Sequence, residues 1–312
     1  MAHLTPSAHG LFATQHGVAS LHQLQSSGLG RNQLKRLEAS GAIVRLINTV
    51  YRSPSVPLDE LTRCAAVCLA HPTIVVAGPT AGRLWGFRRL PPDRRVHVLA
   101  PRASHPVAAD WLVPYRTEAF HAGDVIHRPD GVNVTSRART ALDLARWLSP
   151  ESLLSVIEQA IHDGRITDQE MHAVAVDWIS SQRPWVRTYL VQLGRRLAGG
   201  AAESHPEVRV AHALRNAGVR GLVQQYPIDL TGYGRARFDL AVPELRWAIE
   251  VDVHPVHGET NGRLSDRRRD AAATADGWAV TRIARASYEL DFDATIARVA
   301  DEHHARRRRP SA

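Results

Sequence analysis

Hydrophobic positions recur every three or four residues through three short stretches in the first forty residues, and then begin to alternate. Leu11, Phe12 and Gln15 precede a break at Gly17, Ser20 stands as a cap ahead of a short helix, and Gly30 precedes RNQLKRLEASG, where Leu34 and Leu37 face inward. IVRLINTVYR alternates as a two-stranded hairpin. From 58 to 149 the pattern mixes an apolar helix over 58–70, the strands TIVVA and RRVHVLA, and VTSRARTALDLARWL, which passes from strand into helix with Thr135 or Ser136 as cap. Pro91, Pro92, Pro101, Pro106, Pro114 and Pro129 punctuate this stretch as loops. Three amphipathic helices follow over 150–199, forming a helical bridge, and the Gly- and Ala-rich AGGAAESHP marks a domain boundary. Residues 200–305 read as helix, three strands, helix, strand, with GYG and VPEL as turns of a meander.

Composition narrows the classes this chain can belong to. Hydrophobic residues at 44% and charged residues at 22% match a globular protein with a buried core and exclude wholesale disorder. No window carries the roughly 18 uncharged apolar residues of a bilayer span, and the start lacks a basic region followed by an apolar run, so the expectation is a cytoplasmic protein without a membrane partner. Cys64 and Cys68, four apart, suit two buried thiols on one helix face. The net charge of +8 suggests a polyanionic partner, but the excess is spread along the chain as +2 before residue 61, +5 over 61–199 and +1 thereafter. Only Lys35 among the 39 basic residues is a lysine.

Helix, helix, basic helix, hairpin is the order of a winged helix-turn-helix, here over residues 1–57. Its third helix would present Arg31, Asn32, Lys35 and Arg36 to a DNA groove, with Arg45 and Arg52 on the wing near phosphates. A small helical packing module with solvated arginines is the alternative. GVASLHQLQSSGLGRNQLKRLEASGAIVRLINTVYR resembles the N-terminal domain of AbiEi-family antitoxin-like proteins, a likeness that continues through AGPTAGRLWGF and VTSRARTALDLAR. That resemblance implies a winged-helix DNA-binding start joined to a mixed α/β domain. AbiEi antitoxins repress their own operon and neutralise a nucleotidyltransferase toxin, so promoter DNA and a toxin protein are the implied partners.

Strand periodicity carries the second chemical expectation. In RFDLAV, Phe238 and Leu240 point one way and Asp239 the other; in AIEVDV, Ile249, Val251 and Val253 share one face while Glu250 and Asp252 share the opposite one. Adjacent strands would then gather three carboxylates whose repulsion and desolvation are relieved by a metal ion or by paired arginines such as Arg237, Arg267 or Arg268. Asp239, ten residues, Glu250, one residue, Asp252 matches the spacing of the PD-(D/E)xK nuclease core. FDLAVPELRWAIEVDVHPVH followed by DRRRDAAATADGWAVTRI resembles the Vsr-like endonuclease domains of that superfamily over about 110 residues.

The resemblance implies a metal-dependent DNA endonuclease or nickase, with Mg2+ or Mn2+ held by Asp239, Glu250 and Asp252, and Glu207 as an additional acid. Asp252 stands where the general motif has lysine, and Val253 where it has glycine; His254 and His257 are the histidines available to replace the lysine. Arg267, Arg268 and Arg269 open the next helix and could meet phosphates, with a solvated helix face an equal alternative for Arg269. The arginines from 306 onward read as a frayed basic tail, 306–312. The whole is an α/β (α+β) chain: an N-terminal winged helix-turn-helix, a mixed α/β middle (58–149) with helical bridge, and a C-terminal restriction-endonuclease-like αβββαβ core. A non-catalytic DNA-binding regulator or antitoxin-like protein that retains a nuclease fold is the competing reading.

Overall fold

A computed structural model describes residues 3–106, 108–117, 120–121, 123–164, 166–176, 178–179, 183–253 and 260–308, with 260–266 described as backbone only. It is a mixed α/β structure with three sheets, and it divides into two compact units, 1–147 and 148–312.

In the first unit, helix α1 (Pro6–Thr14) begins where the Thr5 hydroxyl accepts the Ala8 N–H. Strand β1 (Val18–Ser20) runs straight into α2 (Leu21–Ser26), because Ser20 ends the strand and caps the helix. The Gln23 N–H donates to Ser20 Oγ at 3.2 Å, and the Ser20 N–H donates to Gln23 Oε1 at 2.9 Å. Helix α3 (Arg31–Ala39) follows, then the hairpin β2 (Val44–Ile47) and β3 (Val50–Arg52), which joins β1 in an antiparallel sheet of order β1-β3-β2. The sequence reading ended a domain at residue 57, but Val18, Ile47 and Val50 share one core with Cys64 and Val67 of α4 (Glu60–Ala70) and with Ile74 and Val98. Both cysteines of α4 are buried free thiols, as their spacing predicts, and burial raises the pKa of each.

The second sheet of this unit comprises β4 (Val75–Val76), β5 (Val96–Pro101), β6 (Leu112–Thr117), β7 (Val125–His127) and β8 (Asn133–Thr135), in the order β6-β5-β4-β8-β7. Helices α5 (Gly78–Leu84) and α6 (Arg137–Leu144) complete the unit, α6 capped by Ser136. Pro101 and Pro114, which the sequence suggests are loop markers, lie within strands; Pro114 is on β6, an edge strand, where a missing N–H is tolerated.

The second unit opens with α7 (Pro150–Gly164), α8 (Asp168–Val176) and α9 (Pro184–Leu193). These are not a free-standing bridge. Leu154 of α7 packs on Ala202 and on Val208 of α10 (His205–Asn216), and Glu158 accepts the Ala202 N–H at 3.1 Å while pairing with Arg196. The expected linker contains β9 (Ala198–Gly199), parallel to β10 (Val223–Leu230). Strands β10, β11 (Gly234–Val242) and β12 (Trp247–Asp252) form the predicted antiparallel meander; α11 (Thr260–Ala275) then leads to β13 (Ala279–Ala284), parallel to β12. Two helices close the described chain, α12 (Arg285–Leu290) and α13 (Phe292–Arg308). The expected frayed tail is helical through Arg308, and Arg306 pairs with Glu302 one turn back.

This sheet is apolar on both faces. Ile249, Val251 and Val253 join Leu240, Val242 and residues of α10 and α13, whereas Ala248, Ala241, Phe238 and Trp278 pack with Ala273 of α11. Alternation along β12 is therefore as predicted, but Phe238 and Leu240 lie in different clusters. Opposite Asp239, Gln225 adopts a left-handed conformation (φ 50°), and the ladder skips the 225–239 position between Gln224↔Leu240 and Tyr226↔Phe238 without a shift of register. The face reversal at Asp239 follows from this local irregularity, which period-two reasoning cannot see.

Candidate functional site

The first candidate is the outward face of α3. Leu34 and Leu37 are buried, and at 100° per residue this turns Arg31, Asn32, Lys35 and Arg36 to the opposite side, where all four are exposed. The two hairpin arginines have partners within the chain. Arg45 donates to both carboxylate oxygens of Glu38 and to the Tyr51 hydroxyl at 2.7 Å, fastening the hairpin to the end of α3. The Arg45 hydrogen bond also holds the Glu38 carboxyl below its ordinary pKa. Arg52 donates to the carbonyls of Val56 (2.6 Å) and Ser53 (3.3 Å). These partners tie Arg45 and Arg52 into the hairpin and its flanking turn.

The second candidate is the carboxylate pocket on β11 and β12. The ladder between the two strands stops at Leu240↔Ile249, and the next amide, Val251 N–H, donates to Asp239 Oδ2 at 2.9 Å. Asp239 thus closes the ladder where the strands part. Glu250, only 4% exposed, lies on the α11 side with Oε2 at 3.4 Å from Arg269 Nη2; its Oε1 is buried without a hydrogen-bond partner among the described residues. Burial pushes both carboxyls up; the Asp239 charge raises Glu250 further, and the Asp252 charge raises both. Glu207 sits close enough to Asp239 to raise it further. Ser204 Oγ and the Glu203 N–H donate to Glu207, as does Gln225 Nε2 at 2.7 Å.

Asp252, expected as a third ligand, is half exposed and pairs with Arg282 Nη1 at 2.6 Å, while Arg282 Nη2 pairs with Asp270 at 2.7 Å. The parallel register sets Arg282 beside Glu250, and Asp252 stays near enough for its charge to raise both Asp239 and Glu250. Among the described residues, no group of three or more His, Cys, Asp or Glu side chains is disposed to hold a metal ion. His254 and His257 lie outside the described residues. Of the arginines expected beside the acids, Arg267 and Arg268 are exposed and Arg237 pairs with Glu203. Arg269, for which the sequence leaves phosphate contact and a solvated face equally open, faces Glu250 instead. The helix phase of α11 fixes this choice: Ala272 and Ala273 pack on the sheet, and Arg269 lies one turn before them.

Two proteins of Mycobacterium tuberculosis described as uncharacterized, MT2308 and Rv2248, are each 28% identical to the chain over 257 residues, covering 81% of it and 89% of their own length. A crystal structure of the Rv2827c protein from the same species aligns with a TM-score of 0.42 at 16% identity, over 60% of this chain and 75% of that one. The family match begins in α4 and ends in α9, so it contains AGPTAGRLWGF and VTSRARTALDLAR but neither α3 nor the carboxylate pocket. Residues 65–192 match the AbiEi antitoxin C-terminal domain, and over that stretch the chain is AbiEi-like.

Proposed function

We propose that the protein is a DNA-binding, antitoxin-like regulator whose residues 1–57 act as a winged helix-turn-helix. The observation that carries this reading is the exposed basic face of α3 beside the β2–β3 hairpin. Arg31, Lys35 and Arg36 supply cations for phosphates and guanine edges, and Asn32 has the donor–acceptor pair that reads adenine in the major groove. The hairpin, locked by Arg45, supports the helix rather than gripping the backbone. The AbiEi-like stretch adds promoter DNA and a toxin protein as the partners in keeping with such a regulator. Fluorescence anisotropy on the protein's own promoter DNA tests the reading. Asn32→Ala should lower discrimination between promoter and scrambled duplex, and Arg31→Ala should weaken both; unchanged binding in both variants would remove α3 from the interface.

A second reading, a metal-dependent endonuclease or nickase with a Vsr-like PD-(D/E)xK core over 200–305, is favoured by one observation. Glu250 keeps a buried carboxylate oxygen without a hydrogen-bond partner among the described residues, beside Asp239, and folding alone gains nothing from that arrangement. Two hard oxygen donors fit Mg2+ or Mn2+. Asp239 and Glu250 would hold the ion, which would polarise a phosphate oxygen and acidify a water. Glu207, fixed by Ser204 and Gln225, would orient the arrangement from α10. A plasmid-nicking assay with Mg2+ or Mn2+ decides this reading. Cleavage by the wild type that is lost in Asp239→Ala and Glu250→Ala supports it, and absence of wild-type cleavage returns the pocket to a structural role.

A further inference from the structure

Among the described residues, Arg269 is the cation that faces the pocket's buried acid. Glu250 is almost wholly buried, one of its oxygens faces Arg269 Nη2 at 3.4 Å, and the other has no hydrogen-bond partner among the described residues. Asp239, the neighbouring acid, spends Oδ2 on the Val251 amide. Arg282 bridges Asp252 and Asp270 at 2.6 and 2.7 Å, and reaches Glu250 only through its charge, which lowers that carboxyl. Arg269 is the described guanidinium that approaches the buried Glu250 carboxylate, with the partly buried Asp239 beside it. It does so at a separation longer than the roughly 2.7–2.9 Å of a strong charge-assisted hydrogen bond.

We propose that Arg269 is a displaceable resident cation, a guanidinium latch over the Asp239–Glu250 pair, and that a hard divalent ion such as Mg2+ or Mn2+ enters the pocket by displacing it. Three features support the exchange. The donors are carboxylate oxygens, the preferred ligands of such ions, and a divalent charge balances the pair where a single guanidinium does not. Helix α11 is held to the sheet by Ala272 and Ala273 against Phe238 and Trp278, so the long Arg269 side chain can swing away while its backbone stays in place. Arg269 is partly exposed, with 19% of its side chain accessible, which gives the released guanidinium a route to solvent or to a phosphate. The β12 position that carries lysine in the general nuclease motif is Asp252 here, so the pocket's cation comes from α11 instead. The inference uses the same two carboxylates as the nuclease reading but requires no bond cleavage.

Mn2+ binding to the full chain, followed by electron paramagnetic resonance of the free ion and by calorimetry at pH 7.5, tests it. Arg269→Ala should bind Mn2+ at least about tenfold more tightly than the wild type, because a cation beside the ligands has been removed. Arg269→Lys should fall between them, and Arg269→Ala/Asp239→Asn should lose the gain. Equal affinity in wild type and Arg269→Ala, or no binding in either, would overturn the latch. Tight binding by Arg269→Ala without plasmid nicking would leave the latch standing and refute the nuclease. Thermal melts of Arg269→Lys, which keeps the charge, separate loss of the latch from loss of fold.

Discussion

Replacing Arg139 with methionine should unfold the first unit's second sheet more readily than any surface change. Arg139 on α6 is 1% exposed and lies between two nearly buried acids, donating to Asp124 Oδ2 at 2.6 Å and to Asp143 Oδ1 at 3.3 Å. Methionine keeps much of the apolar stem and removes the charge, leaving two carboxylates facing each other in the interior. Breaking a buried pair by removing one partner costs about 3–5 kcal/mol, a large share of a total stability of about 5–15 kcal/mol. For a unit of this size that is a fall in Tm of roughly 10 °C.

The penalty also has a predictable pH dependence. Burial already raises the Asp143 carboxyl in the presence of Arg139, and removing the guanidinium raises it further. A folded-state pKa above the unfolded value means that stability is present at low pH and is lost as pH rises through the folded pKa. The Arg139→Met penalty should therefore be smaller at pH 5.5 than at pH 8, and adding Asp143→Asn should recover part of it at pH 8. Urea denaturation followed by circular dichroism at both pH values measures this. A penalty below about 1 kcal/mol, or one that is the same at both pH values, would refute the reasoning.

The remaining predictions concern the second unit. Because burial raises Asp239 to about 6 and Glu250 to about 8, stability should fall as the solution passes from pH 6 to pH 8.5, and Glu250→Gln should flatten that fall by about 2 kcal/mol in calorimetric scans. Gly199 has φ 103°, and a Cβ there would stand 2.0 Å from the Gln224 carbonyl oxygen, so Gly199→Ala should cost at least about 2 kcal/mol in denaturant titration.

Much of this architecture is legible in the sequence where burial is repetitive. Leu34 and Leu37 define the inner face of α3, and the alternation of Ile249, Val251 and Val253 fixes the face of β12. Strand β1 is not legible, because three residues hold no period and Ser20 reads first as a helix cap. The joining of residues 1–57 to the following segment depends on side chains such as Val50 and Val67 meeting across a long sequence separation, which no local pattern encodes. The same holds for charge partners. Arg45, Arg52 and Arg269 look alike on the page of letters, and only the turn geometry of the hairpin and the packing phase of α11 decide which carboxylate or carbonyl each one meets. Asp239 is recognisable as an unusual acid in an apolar strand, whereas the pairing of Asp252 with Arg282 depends on β13 lying beside β12.

The most direct test of the DNA-binding account is the salt dependence of promoter affinity for the wild type and for Arg31→Ala/Lys35→Ala/Arg36→Ala. If α3 places those three cations on phosphates, the slope of log K against log [KCl] should become shallower by about 2.7, from roughly 0.9 released counterions per contact. Parallel slopes for the two proteins would contradict the account and move the DNA-binding surface away from α3.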